Sequence, residues 1–171
     1  MMGRALLVIG ALGTVAFLAT AVLGYGLSGP TDAGLPNHVL IALGSNLLLL
    51  FSHSWIMFYL IGTGKAIKQA VAEHALAASY VEETKRFKAA SYPWLMLALG
   101  CAMATFILGG GAATGALPSW IHHVLFVLAV PVQVYTLWIE HRVLWDNERL
   151  MNAINARLAE PSRAGEATAD A

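Results

Sequence analysis

The chain has a single cysteine, Cys101, so no intrachain disulfide can form and a site built from several thiolates is excluded. Charge is also scarce: 12% of the 171 residues are Asp, Glu, Lys or Arg, against 58% apolar. No basic patch with interleaved aromatics stands apart from the apolar runs, which argues against a nucleic-acid surface. A soluble core of this size would not need so high a mean hydropathy, +0.65, so an integral membrane protein is the expected class.

The most informative absence is positional. Residues 5–64 and 89–141 contain no Lys or Arg. All ten basic residues fall in three groups: Arg4; Lys65, Lys68, Lys85, Arg86 and Lys88; and Arg142, Arg149, Arg157 and Arg163. Four apolar runs separate these groups from two loops without basic residues, whose only acid is Asp32. Because cytoplasmic loops keep their positive charge, the pattern predicts an all-α, four-span, up-down bundle with both termini in the cytoplasm of a bacterial inner membrane.

The predicted spans are residues 5–27, 38–62, 91–108 and 120–139, each about long enough to cross some 30 Å of hydrocarbon. Residues 63–90 read as a helical hairpin protruding inward, because Ile67, Val71, Ala78 and Val81 keep a three-four spacing through charged sequence. Residues 140–159 read as an amphipathic helix carrying Val143, Leu144, Leu150, Ile154 and Leu158, and 160–171 as a disordered tail. The four helices and their extensions make one domain, 1–159. Asn37 is the expected cap of the second span. Pro93 is expected in the first turn of the third, and Gly109-Gly110-Gly111 at its end. Gly13, Ala16, Thr20 and Gly24 share one face of the first span and predict close helix packing there. Arg4 followed by an apolar run and Ala19-Thr20-Ala21 also fits a cleaved signal peptide, but the apolar run is longer than such a core, so a retained helix is expected.

Several local patterns have no chemistry behind them. Gly62-Thr63-Gly64-Lys65 ends like a phosphate loop, yet Tyr59 stands where that loop needs Gly and Ala66 where it needs Ser or Thr. Ser45, Ser52 and Ser54 flank His53, but an uninterrupted helix offers neither a strained nucleophile turn nor an oxyanion hole. The glycines from 109 to 115 are expected to form a flexible outer turn. No broken helix or buried carboxylate is expected to mark a transport route.

The histidines carry the sharpest signal. At 100° per residue, His38, Ser45 and Ser52 align on the second helix, with Asn46 and His53 on the adjacent edge. On the fourth helix His123 and His141 share a face, and His122, Gln133 and Glu140 form the neighbouring stripe. His38 and the His122-His123 pair lie at the same outer level within about 3 Å. One imidazole from each helix would ligate a b-type haem from both sides. His53 and His141 are a poorer second pair, because their depths differ by several ångströms. His74 and His141 are expected in the cytoplasmic extensions.

The fourteen residues between His38 and His53 make an interval similar to the histidine spacing of multi-span dihaem cytochromes b. The fourth helix departs from that pattern, with seventeen residues between His123 and His141. That resemblance implies haem b held by His38 with His122 or His123, and electron exchange with a quinone or a partner protein. The competing reading is a non-catalytic membrane subunit, scaffold or assembly factor, homo-oligomeric or binding a membrane or cytoplasmic partner through its inner helices. In both readings the bilayer is a partner, and no hydrolase or nucleotide-binding motif accompanies either.

Overall fold

A computed structural model of the protein describes residues 2–28 and 31–169, with side chains for 3–28 and 31–159. Within these residues the chain is four helices and no strand: α1 Met2–Tyr25, α2 Leu35–Glu73, α3 Ser79–Ala113 and α4 Ser119–Ala169. All four are long and apolar enough to cross a membrane. Only 22% to 33% of each most apolar stretch is buried, so most of that surface faces outward. Water would penalise an apolar exterior of this extent, whereas lipid would not.

The outward apolar residues also mark where the exterior changes character. On α2 they run from Val39 to Ile61, and on α4 from Trp120 to Trp145. These stretches are about 33 and 37 Å long at 1.5 Å per residue, close to the thickness of a bilayer with its interfaces. Beyond Ile61 and Trp145, and before Met96 on α3, no large apolar residue is exposed among the described residues. The helices there bury their apolar faces on one another through Ile67, Leu150 and Ile154.

The connections are short and have identifiable causes. The Asp32 carboxylate accepts the backbone N–H groups of Ser28 at 2.9 Å and Gly34 at 2.8 Å, closing the α1–α2 turn. This places the cap of α2 at Gly34, with Pro36 in its first turn, so Asn37 lies inside the helix and is not the expected cap. The hairpin expected over 63–90 is two helices, broken where Ala75 takes a left-handed φ of 50° and Leu76 N–H bonds Val71 C=O at 3.2 Å. Ala78 and Val81 therefore do not continue the face of Ile67 and Val71.

Further expectations for α3 and α4 differ from the structure. Gly109 to Gly111 are the last turn of α3, not a flexible loop, and the turn itself falls at Gly115 with φ 74°. Starting at Ser79, α3 also has Pro93 well inside it. The fourth helix is continuous through residue 139 and through Pro131, and it extends to Ala169 across most of the segment expected to be disordered. Residues 170 and 171 lie outside the described residues.

Between membrane helices the apolar drive for association is weak, so close packing and polar links decide the arrangement. Both are present. The small face of α1 meets α2: a Cβ on Gly13 would lie 3.2 Å from Leu48 and Leu49, and one on Gly10 would lie 2.9 Å from Ser52 Oγ. Ser52 donates to the Leu6 carbonyl at 2.9 Å, Tyr92 to the Met57 carbonyl at 2.9 Å, and Thr136 to the Trp94 carbonyl at 3.3 Å. Each of these hydroxyls joins two helices. Phe17 of α1 stacks on Phe126 of α4, with ring centroids 4.9 Å apart.

Candidate functional site

Helix α4 turns one stripe inward along its length: Phe126, Ala129, Gln133, Thr136, Glu140, Val143, Asn147, Leu150 and Ile154 are all buried. The seven-residue steps from Phe126 to Gln133, Glu140, Asn147 and Ile154 keep these groups on one seam. Helix α2 answers with Ser45, Asn46, Leu49, Ser52, His53, Ile56 and Leu60. Polar side chains therefore meet on the bundle axis at two levels.

At the first level the ends of all four helices surround a pocket of about 530 Å³. Its walls are mainly apolar and small, and His38, His122 and His123 project into it. The rings of His38 and His122 stand 6.5 Å apart between centroids, nearly perpendicular at 87°. The His122 ring is 5.7 Å from that of His123, which in turn rests 5.2 Å from Tyr25. Two glycines make room for the first pair. A Cβ on Gly24 would lie 2.9 Å from His38 Cε1, and one on Gly109 would lie 3.0 Å from His122 Cε1.

The tautomer of His122 follows from its partner. Its Nδ1 lies 3.0 Å from the Thr105 carbonyl, and a carbonyl only accepts, so Nδ1 carries the hydrogen and the Nε2 lone pair is uncommitted. The Nδ1 of His38 is buried without a hydrogen-bond partner. Among the described residues no three His, Cys, Asp or Glu side chains converge to hold a metal ion. What the pocket offers is two imidazoles from facing helices, not a polydentate ion cage.

At the second level His53 is fully buried, with both ring nitrogens engaged. Nδ1 lies 2.5 Å from Glu140 Oε1, and Nε2 lies 3.0 Å from Gln133 Oε1. Gln133 is oriented by α3, because its amide nitrogen donates to the Ala98 carbonyl at 2.9 Å. That leaves Oε1 as the atom facing His53, so Nε2 must be a donor. One more proton lies between Nδ1 and Glu140 Oε1. Glu140 is 0% exposed, and its second oxygen has no partner.

This pair corrects the expectation that no carboxylate is buried in the bundle. The sequence places Gln133 and Glu140 on one stripe but gives no sign that this stripe meets His53. Two observations were available: each of these polar groups sits in a long apolar run, and a polar group there must find a partner. The structure does not join His53 to His141. His141 is exposed and lines a separate cleft of about 200 Å³ with Arg4, Tyr59 and Glu148. His74 is exposed at the C-cap of α2. Of the five candidate histidines, the structure gathers His38, His122 and His123 at one pocket, seals His53 in the core and leaves His141 outside.

The serines beside His53 have ordinary helix roles. Ser45 bonds the Ala42 carbonyl, and Ser52 bonds Leu6. Cys101 packs beside the cluster of Phe17, Leu49 and Phe126.

Together the fold and these sites define a class: an all-helical membrane protein with four candidate spans and polar groups on its axis. No family model, curated protein or solved structure matches the chain.

Proposed function

We propose that the protein is an electron-transfer component of a bacterial inner membrane, in which His38 and His122 would hold a b-type haem in the four-ended pocket. In this reading the four helices cross the membrane up and down, with both termini and the α2–α3 turn in the cytoplasm and the pocket at the opposite face. A haem held there would supply one-electron exchange with a quinone or a partner protein at that face.

The observation that carries the reading is the pairing of His38 with His122 across an apolar pocket. Metal–nitrogen bonds of about 2.0 Å, with each ring centre set back roughly one ångström more, put two imidazoles on one ion about 6 Å apart. The observed separation is 6.5 Å. The Thr105 carbonyl supplies the outer-shell hydrogen bond that fixes a ligating imidazole in its tautomer. A haem would supply one-electron chemistry; the chain's own part is to orient two imidazoles and to surround the ring with apolar walls.

The scaffold reading needs a face for a partner. The extensions close on each other through Ile67, Leu150 and Ile154 and, among the described residues, leave no large apolar residue exposed beyond the band. The haem reading is therefore preferred. Its test is the reduced-minus-oxidised absorption spectrum of protein produced with added haem precursor. A Soret and α-band lost in His38→Ala and in His122→Ala, but kept in His141→Ala, is the expected result. A colourless preparation that does not take up added haemin would refute it. Orientation is tested separately in a Cys101→Ala background, where the thiol of an Ala77→Cys variant should react with an impermeant maleimide only from the cytoplasmic side.

A further inference from the structure

Four buried side-chain polar atoms lack a hydrogen-bond partner among the described residues: His38 Nδ1, Asn46 Oδ1, Glu140 Oε2 and Asn147 Nδ2. All four lie on the facing stripes of α2 and α4. Nothing requires them to share a seam if they are isolated packing faults. Buried polar atoms without protein partners are characteristically met by ordered water.

The lower half of this seam is the better connected. Glu140 and Asn147 are seven residues apart on one face of α4, about 10 Å along the axis. The single hydroxyl hydrogen of Thr63 is shared between the Tyr59 carbonyl at 3.0 Å and Asn147 Oδ1 at 3.2 Å, and the Asn147 amide nitrogen has no partner among the described residues. Thr63 and Asn147 both lie just beyond Ile61 and Trp145, where the apolar exterior ends. Next to them is a charged group: a Cβ on Gly64 would lie 2.9 Å from Lys88 Nζ. A carboxylate sealed in the core therefore has its free oxygen, a free amide and the edge of the apolar band in sequence.

We propose that His53 and Glu140 form a proton-binding site, loaded through water between Glu140 Oε2 and Asn147 from the end of the bundle that carries the α2–α3 turn. In the unloaded state an imidazolium faces a carboxylate. A hydronium reaching Oε2 gives up its proton to the carboxylate and leaves as water, so the loaded state is an imidazolium beside a carboxylic acid. Release reverses the step, and no electron moves. Gln133 is a positioning residue: it holds the ring through Nε2 and is itself fixed by the Ala98 carbonyl.

An ion pair that merely fixed helix register would need neither a free oxygen nor a polar atom leading to the exterior. An ionisable group inside a membrane bundle is a functional candidate in its own right. The surroundings isolate the pair from other charges. Helix α1 carries only Arg4 and Tyr25 as described ionisable residues, near its two ends. From α3 the nearest such groups are Tyr92, whose hydroxyl is tied to Met57, Cys101 in its apolar cluster, and Lys88 at the mouth. On α2 and α4, Tyr59 and His141 line the separate cleft, and Arg142 lies 5.0 Å above the Trp138 ring.

The proposal is independent of haem and is tested without it. Infrared spectra of the full chain in lipid nanodiscs are recorded across a pH series in H₂O and D₂O. A carboxylic-acid carbonyl band that grows on acidification, shifts in D₂O, is absent in Glu140→Gln and is displaced in His53→Asn is the expected result. A band that is missing, or that persists in Glu140→Gln, would overturn the site; one that never exchanges with D₂O would make the pair structural only. Because Glu140→Gln risks misfolding, Asn147→Ala tests the route with the pair intact. The band should remain and its deuterium exchange should slow at least tenfold. Unchanged exchange would overturn the route through Asn147.

Discussion

Replacing His53 and Glu140 by Leu, singly and together, measures what this buried pair contributes to stability. Both residues are 0% exposed, and the contact between them is 2.5 Å, so removing either strips the other of its direct charged partner. Removing one partner of a buried ion pair costs about 3–5 kcal/mol, whereas replacing both with apolar side chains is often neutral or stabilising. The double variant should therefore be more stable than either single variant, although additivity would predict a loss of roughly 6–10 kcal/mol. A neutral hydrogen-bonded pair gives a different scale, because interhelical hydrogen bonds in membranes average about 0.6 kcal/mol and reach about 1.7. The assay is reversible unfolding in mixed detergent micelles, followed by helical circular dichroism. The pH dependence adds a sign. Acid should partly rescue His53→Leu, because the stranded carboxyl can take a proton, and alkali should partly rescue Glu140→Leu, because the stranded imidazole can lose one. Single costs under 2 kcal/mol that simply add in the double variant would refute the ionic description.

Three smaller perturbations test the supporting structure. Gly109→Ala brings a methyl to 3.0 Å from His122 Cε1 and should displace that ring, weakening or shifting any haem spectrum while helix content stays unchanged. Ala75→Gly removes a side chain from a left-handed position, φ 50°, and should stabilise the protein by about 1 kcal/mol in the same unfolding assay. Asp32 is held below the ordinary carboxylate value by the backbone N–H groups of Ser28 and Gly34. Its stabilisation is therefore complete above the unfolded value of about 3.9 and is lost as pH falls through the lower folded value. An acid titration should show a loss in the parent that is absent in Asp32→Asn.

How much of this could be read from the chain depends on the range of the interaction. The spans were legible because a run without charge is a local property. The inward stripe of α2 was equally legible: Ser45, Asn46, Ser52 and His53 share an edge at helical spacing, and all four are buried. The helix ends were less so. The α2–α3 break at Ala75 carries no glycine, so local chemistry gave no warning of a left-handed residue. Gly109 to Gly111 gave a false warning, because glycine reads as a turn, whereas here Gly109 gives room to an imidazole from the next helix. The pairing of His53 with Glu140 spans 87 positions and depends on how far α4 is rotated against α2, which no local window contains.

Rotation also explains why histidines with similar sequence settings have different chemistry. Glu140 and His141 are adjacent, and about 100° of helix turn puts the acid on the axis and the imidazole outside. His122 and His123 are split less sharply, because both line the pocket and both are partly buried there. Along α2 the distinction is one of partners. His53 has an acceptor on each nitrogen, so it has no lone pair left for a metal and can only hold or pass protons. His38 has a buried nitrogen with no hydrogen-bond partner, and its ring stands 6.5 Å from a second imidazole, which suits it to ligation and not to proton storage. If both proposals hold, one polar seam carries an electron site at one end and a proton site about 20 Å away along α2. Loss of the haem bands in His38→Ala with the infrared titration intact would show that the two sites are separable.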